Sequence, residues 1–343
     1  MARTVSVKSA GRTGLLESQN ILMLGKSIFG VGARARLSIV LGMLMVAILP
    51  PAAVAKSARA IKVEWQPAKP LTGAACLLKV TAPARLEELH GKWLDHEIQF
   101  DSIDGGRTWV ALAGVSLATK PGKYPLDLDG KEVPAPSQKA RQRQGTQGDL
   151  TLSKKVPVFA FKRKVIQEKQ LEVEKKYVAP DPETLKRVAQ EKEMKTEAYN
   201  KSSPRALWSG AFARPLDSVV TEAFGVRRVF NADLHRDHLG VDFRATPGTP
   251  VLAANSGTVL LARELFYEGN CVILDHGQGL VTIYMHFSKL AVKEGDHVEH
   301  LQKLGESGAT GRVTGPHLHV SLQWKGVPLD LLSLTDLKLP EFQ

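Results

Sequence analysis

Residues 317–324 read HLHVSLQW. Side chains alternate across a strand, so His317, His319, Ser321 and Gln323 share one face, and Leu318, Val320, Leu322 and Trp324 share the other. The apolar face can bury against a core while both imidazoles point to a common surface. Two further segments repeat this arrangement. In LVTIYMH (280–286), Val281, Ile283 and Met285 form the apolar side, and Thr282, Tyr284 and His286 the opposite one. In DHLGVDF (237–243), His238, Gly240 and Asp242 share a side, with Leu239, Val241 and Phe243 opposed. Three separate segments therefore each present His or Asp behind an apolar backing. Eight of the ten histidines lie in this second half of the chain.

That residue set points to a metal. Zinc prefers tetrahedral N, O and S ligands, and a catalytic site typically uses three protein ligands with one open position. Two histidines and a carboxylate meet that count. The metal lowers the pKa of a water and polarises a carbonyl under attack, while nearby imidazoles can move protons or stabilise an oxyanion. His235, His276, His297 and His300 are left unassigned to the metal, and His276 reads as a structural hydrogen-bonding residue at a strand-end turn.

The rest of the chain is also mainly β. From Ile61 to about Val173 it offers short strands: IKVEW, CLLKVTA, EIQFDS, TWVALAGV, GKYPLDLDG, DLTLSKKVPVFAF and LEVEKKYV. Turn signals such as Asp104-Gly105-Gly106 separate them, which predicts a β-sandwich. Residues 134–148 read as an exposed loop. After Ala179-Pro180, Asp181 is an N-cap with Pro182 at the first helical position, and ETLKRVAQEKEMKTEAY predicts a charged, solvated linker helix, or a lever between two units. From Pro204, glycine-punctuated strands resume. The expected organisation is a leader at 1–55, a β-sandwich at 56–178, a helical linker at 179–205, a catalytic β-domain at 206–333 and a tail at 334–343.

Residues 37–49 (LSIVLGMLMVAIL) carry no charge, follow Arg34 and Arg36, and precede the small-residue end Ala53-Val54-Ala55. This describes a secretory signal peptide cleaved after Ala55, with an uncleaved membrane anchor as the alternative. Met23 as the start would give a conventional leader length. Of the formal net charge of +11, +5 lies in those first 55 residues, from six basic residues and Glu17. The remaining excess is not gathered on a recognisable reading element, so nucleic-acid binding is not expected. The two cysteines, Cys76 and Cys271, cannot build a disulfide framework and read as core thiols.

At its chemistry-bearing residues the sequence resembles the M23 family of zinc metallopeptidases, of the LytM/lysostaphin type. The family's His-x-x-x-Asp falls on His238 and Asp242, its His-x-His on His317 and His319, and its separate histidine on His286. Flanking text matches too: FGVRR, GTPVLAANSGTV, GNCVILDHG and GATGRVTGPHLH. The resemblance covers nearly all of 206–333. It implies one Zn²⁺ per chain held by His238, Asp242 and His319, with His286 and His317 as unliganded catalytic histidines. It implies hydrolysis of peptide cross-links in peptidoglycan, in cell-wall remodelling, in the periplasm of a Gram-negative-type bacterium. The upstream sandwich looks like the Ig-like region of some Gram-negative members. Expected partners are peptidoglycan peptide stems and a regulatory wall-synthesis or division complex, with the inner membrane a partner only if the leader stays uncleaved. The alternative is a catalytically silent M23-like factor that binds the wall or activates another hydrolase; retention of all five positions argues against it. Substrate contacts are assigned to Arg227, Arg228, Asn231 and Tyr284, the arginines toward a stem carboxylate. Leu301 stands where the family commonly has glycine, so its turn is expected to be built differently.

Overall fold

The computed structural model describes residues 60–133, 149–161, 169–232 and 234–342. The apolar run at 37–49 and the polar stretch 134–148 lie outside these residues. Among the described residues no helix is long and apolar enough to cross a membrane.

The first half contains β1 (Lys62–Gln66), β2 (Ala75–Thr81), β3 (Leu86–Trp93), β4 (His96–Gln99), β5 (Asp101–Ser102), β6 (Thr108–Gly114), β7 (Gly122–Glu132) and β8 (Asp149–Val158). They form two four-stranded sheets, ordered β1-β2-β6-β5 and β4-β3-β7-β8, with antiparallel pairing throughout. Strand β3 is absent from the sequence reading because LEELHGKW is rich in charge, yet Leu86, Leu89 and Trp93 are buried. The expected strand LEVEKKYV is mostly not one. Only β9 (Lys169–Leu171) pairs, in parallel with β11 below, and Lys175–Tyr177 is a 3₁₀ turn.

Helix α1 (Pro182–Asn200) starts where its cap predicts. The Asp181 carboxylate accepts from the backbone N–H groups of Glu183 and Thr184, satisfying donors the helix cannot pair itself. It is not solvated all round. Met194 and Tyr199 pack on a cluster formed by Leu261, Leu265, Cys271, Ile273, Val281 and Ile283. The buried Glu191 accepts from the Phe266 N–H and pairs with Arg187.

The second half holds β10 (Val220–Glu222), β11 (Arg227–Phe230), β12 (Leu234–Asp237), β13 (Val241–Arg244), β14 (Pro250–Leu252), β15 (Gly257–Leu265), β16 (Gly269–Asp275), β17 (Leu280–Leu290), β18 (His297–Val298), β19 (Lys303–Ser307), β20 (His317–Trp324) and β21 (Val327–Leu329), then α2 (Leu331–Thr335). Its main sheet runs β10-β13-β20-β17-β16-β15-β18, with β19 joining β17 to β14, and β21 on β20. Leu318, Val320, Leu322 and Trp324 are fully buried, as the alternation in HLHVSLQW requires.

One core runs through both halves: buried residues of β2, β6 and β7 belong to the same cluster as those of β13, β17 and β20. Gln278, in the turn between β16 and β17, fastens the junction. Its carbonyl oxygen accepts from the Leu112 N–H at 3.0 Å and its amide donates to Asp101 at 2.8 Å. Asp101 also pairs with Arg205 and accepts from the Ala206 N–H. The C-terminal residues read as a tail are docked, with Leu334 and Leu337 buried and Phe342 against Trp208 at 4.9 Å. Leu301 takes φ +64°; the turn keeps the left-handed conformation that glycine favours, with the leucine side chain exposed. Cys76 and Cys271 are free, buried thiols.

His276 has the structural role expected of it. Nδ1 lies 2.8 Å from the Ser256 carbonyl, and Nε2 lies 2.8 Å from Thr282 Oγ1. Burial holds its pKa at about 4, below the ordinary 6.5. The unfolded chain therefore takes up this proton first as pH falls. The stability contribution is complete above pH ~6.5, declines toward pH ~4 and is level below that, a loss of about 3 kcal/mol. Denaturant unfolding of wild type and His276→Gln at pH 7 and pH 4 checks this: the wild-type advantage should shrink by about that amount.

Candidate metal centre and active-site cleft

Three elements bring the candidate ligands together. His238 precedes β13, Asp242 lies within it, and His319 lies opposite Asp242 on the paired strand β20. His238 Nε2 is 3.1 Å from Asp242 Oδ1, His319 Nδ1 is 2.7 Å from the same oxygen, and the two ring nitrogens are 3.1 Å apart. All three residues are buried. A tetrahedral zinc with bonds of about 2.0–2.2 Å needs donor atoms roughly 3.3 Å apart, so this set needs only slight expansion to hold one. The outward ring nitrogens are also engaged. His238 Nδ1 donates to the Ala223 carbonyl at 2.9 Å, and His319 Nε2 lies 2.9 Å from Ser321 Oγ. Because a carbonyl only accepts, His238 carries a proton on Nδ1, which leaves Nε2 as the ring nitrogen that would face a metal, the orientation such an outer partner sets in metal sites. Gly240 is required by close approach, since a Cβ there would sit 2.4 Å from His319 Nε2. Leu239 and its neighbours do not all behave as alternation predicts: Val241 and Phe243 are buried, but Leu239 is exposed because the segment before β13 is not strand.

Burial opposes ionisation of Asp242, but hydrogen bonds and charge from His238 and His319 outweigh it and hold the carboxyl far below the usual range. Burial pushes His319 down to about 4, against the pull of Asp242. Arg228 lies beside them and contacts both Asp242 and Glu222, while Glu222 also receives Lys169 of β9. Arg228 is therefore an orienting residue for the Asp242 carboxylate rather than a free contact for substrate. Arg228→Met should weaken zinc binding by about 10- to 100-fold, the usual effect of losing such a partner. Competition titration against a chelator reads this directly, and Arg228→Lys should recover part of the loss.

His286 reaches the same place by a different route from the one alternation predicts. Strict alternation puts His286 on the face of Thr282 and Tyr284, but that face enters the main core. Tyr284 is fully buried there, its hydroxyl accepting from the Ala254 N–H at 2.9 Å. Tyr284 is therefore removed from the substrate contacts. Between the pairs Val272–Tyr284 and Asn270–Phe287, β17 carries one extra residue. Tyr284 and Phe287, three apart, both enter the core, and the bulge turns Met285 and His286 to the cleft side. His286 has φ +69° at this bulge, a left-handed conformation that costs a non-glycine residue about 1–2 kcal/mol. Its Nδ1 donates to the Thr310 carbonyl at 2.8 Å, and its ring centroid is 4.9 Å from that of His317 and 6.1 Å from that of His319. His317 Nδ1 donates to the Gly315 carbonyl at 2.8 Å, and its Nε2 is 3.7 Å from Asp242 Oδ1. In both rings the carbonyl bond engages Nδ1 and leaves Nε2 outside it. Burial, with the charges of His317 and His319, keeps His286 neutral by pushing its pKa well below the ordinary histidine value.

The remaining assignments divide. Asn231 holds the incoming connection: its Oδ1 accepts from the Val173 N–H at 2.9 Å and its Nδ2 donates to the Val173 carbonyl at 3.0 Å. That makes it a structural residue rather than a substrate contact. Arg227 lies at the exposed edge of the β11–β12 hairpin, 3.9 Å from Asp237, and lines neither cavity at the centre. Those two cavities, of 270 and 210 Å³, flank His286, and the first includes His238 and His319, the second Asp242 and His317. A larger cavity of 680 Å³ lies away from these groups, between β4, the end of α1 and the Gln278 turn. Glu222 and Lys169 escaped the sequence reading because a single carboxylate and a single lysine in short strands carry no spacing signal.

Residues 236–331 match the model of peptidase family M23. Peptidoglycan DD-endopeptidase ShyA of Vibrio cholerae is 41% identical over 126 residues, 36% of this chain and 29% of that protein. DD-carboxypeptidase/endopeptidase Mpg of Neisseria meningitidis is 35% identical over 122 residues, 36% of this chain and 28% of that protein. The chain thus spans less than a third of these curated relatives. A crystal structure of a Pseudomonas aeruginosa protein assigned to peptidase M23 aligns with a TM-score of 0.56 and 27% identity, covering 78% of this chain and 95% of that one. With the family model falling on the very strands that carry the His and Asp side chains, this chain contains a peptidase family M23 domain.

Proposed function

We propose that the chain is a zinc metalloendopeptidase that hydrolyses peptide cross-links of peptidoglycan during cell-wall remodelling. The observation that carries this reading is the convergence of His238 Nε2, Asp242 Oδ1 and His319 Nδ1 beside two imidazoles that are not part of that triad. His238, Asp242 and His319 would hold one Zn²⁺, which when bound supplies Lewis-acid polarisation of the scissile carbonyl and activation of the attacking water. His317 or His286, through Nε2, accepts the proton of the water as its oxygen attacks the amide carbon. The same pair stabilises the developing oxyanion, and the proton passes to the leaving amine as the C–N bond breaks. The names of the relatives support peptidoglycan as substrate and an extracytoplasmic site of action. We place that site in the periplasm, with residues 206–333 as the hydrolase unit and 56–178 as a unit that positions it, through a regulatory wall-synthesis or division complex.

The test joins metal and activity on one sample. Zinc is measured on the purified protein while cross-linked muropeptide dimers are followed by chromatography. About one zinc per chain with conversion of dimers to monomers, abolished by a chelator and restored by zinc, is expected. Cleavage that survives metal removal would end the zinc-peptidase reading, and zinc without cleavage would favour the silent activator.

A further inference from the structure

Arg312 lies in the loop between β19 and β20 and lines both cavities at the centre, whereas Arg236 lines only the first and donates to the His235 carbonyl. The two cavities flanking His286 have four residues in common: Arg228, Phe230, His286 and Arg312. Arg228 is occupied by Glu222 and Asp242. Among the described residues, the Arg312 guanidinium has neither an ion pair nor a hydrogen-bond acceptor. Instead its Cζ rests 4.8 Å from the ring centroid of Phe230 and 4.8 Å from that of Tyr267. Glu268, which lines the same cavity, is held by Lys195 of α1.

The position is also rigid. The Arg312 N–H donates to the Tyr267 carbonyl at 2.9 Å. The two loops are in such close contact that a Cβ on Gly269 would meet Thr310 Oγ1 at 2.3 Å, and one on Gly311 would meet the Gly269 nitrogen at 2.3 Å. Tyr267 is itself braced by Phe266, 4.8 Å away, and Tyr177, 6.4 Å away. Burial lowers the Arg312 pKa, yet guanidinium stays charged in proteins. Among the described residues, the N–H donors of this partly buried, preorganised guanidinium are unmatched, and the aromatic rings satisfy its charge without using those donors. A planar fork of donors matches a carboxylate in bidentate geometry.

We propose that Arg312 is a substrate-binding residue that takes a free carboxylate of the peptide beside the scissile bond. This replaces the arginines the sequence reading assigned to that task, and it rests on the peptidase reading above. The carboxylate has two possible sources, the peptide's chain terminus or a side-chain carboxylate.

The experiment uses the full chain and three synthetic cross-linked peptides: one with both carboxylates free, one amidated at the chain terminus, and one amidated at the side chain. Binding is measured by calorimetry on metal-free protein, and KM and kcat on zinc-loaded protein, for wild type, Arg312→Met and Arg312→Lys. Amidation of one source should weaken wild-type binding and raise KM by about 10- to 100-fold, with kcat nearly unchanged. Arg312→Met should show the same loss on the free peptide and no further loss on that amide. Arg312→Lys should recover only part. If Arg312→Met binds all three peptides as wild type does, or loses equally on all three, the assignment fails. Carboxylate-selective binding that depends on Arg312, without cleavage by zinc-loaded wild type, would keep the carboxylate site and remove the peptidase reading. Cleavage without that selectivity would do the reverse.

Discussion

Replacing His238 by Ala should reduce bound zinc from about one per chain to nearly none, and should cut muropeptide cleavage by about a thousandfold or more. The size follows from what the side chain does. His238 supplies one of three converging donor atoms, and its ring is fixed by the Ala223 carbonyl. With two donors left, a catalytic zinc site is no longer assembled. The metal's contribution to transition-state charge, several kcal/mol, goes with it, at tenfold in rate per 1.36 kcal/mol. Zinc content by elemental analysis and a rate assay on the same preparation check both parts. Asp242 still has Arg228 and His319 in this variant, so folding should survive, and near-UV circular dichroism verifies that. Retention of zinc by His238→Ala would remove this residue from the ligand set.

The second large effect separates metal binding from proton transfer. His286→Ala and His317→Ala should each keep about one zinc and lose about 10²- to 10⁴-fold in kcat, the span typical of a positioned acid or base. Their Nδ1 atoms are held by the carbonyls of Thr310 and Gly315, so neither ring is available to the metal from that nitrogen. Removing both should cost far less than the product of the single losses, because groups acting as a unit are not additive. Loss of zinc in either single variant would mean that the ring belongs to the metal site instead.

How far the sequence discloses this site depends on how local each determinant is. HLHVSLQW is legible because its hydropathy alternates with the period of a strand, and the apolar side is buried in the core. The start of α1 is legible because Asp181 and Pro182 act on their own next turn. His286 is different. Its type and neighbourhood are plain, but the face it occupies is decided by one extra residue relative to β16, a register fact that period-two counting misses. Tyr284, which period-two counting puts on the same face as His286, stays in the core, and its hydroxyl belongs to the core bond network with Thr282 and Ala254. Arg312 sits in plain sight within GATGRVTGPHLH, yet its lack of a partner emerges only when Phe230, Tyr267 and Glu268 arrive from elsewhere in the chain. Helix α1 reads as solvated because its composition is charged; the few residues that dock it, Met194 and Tyr199 among them, carry no strong periodic signal.

The core that runs through both halves has a consequence for heredity. A recombination event that exchanged the first half for another sandwich would leave Gln278 facing a stranger in place of Leu112 and Asp101, and would strip the cover that β2 and β6 give to the second half. Such an exchange should therefore lower the stability of the second half, unless the new partner offers a donor and a carboxylate where Leu112 and Asp101 meet Gln278. The same fusion turns a truncation that keeps only the second half into a test of folding before it is a test of regulation.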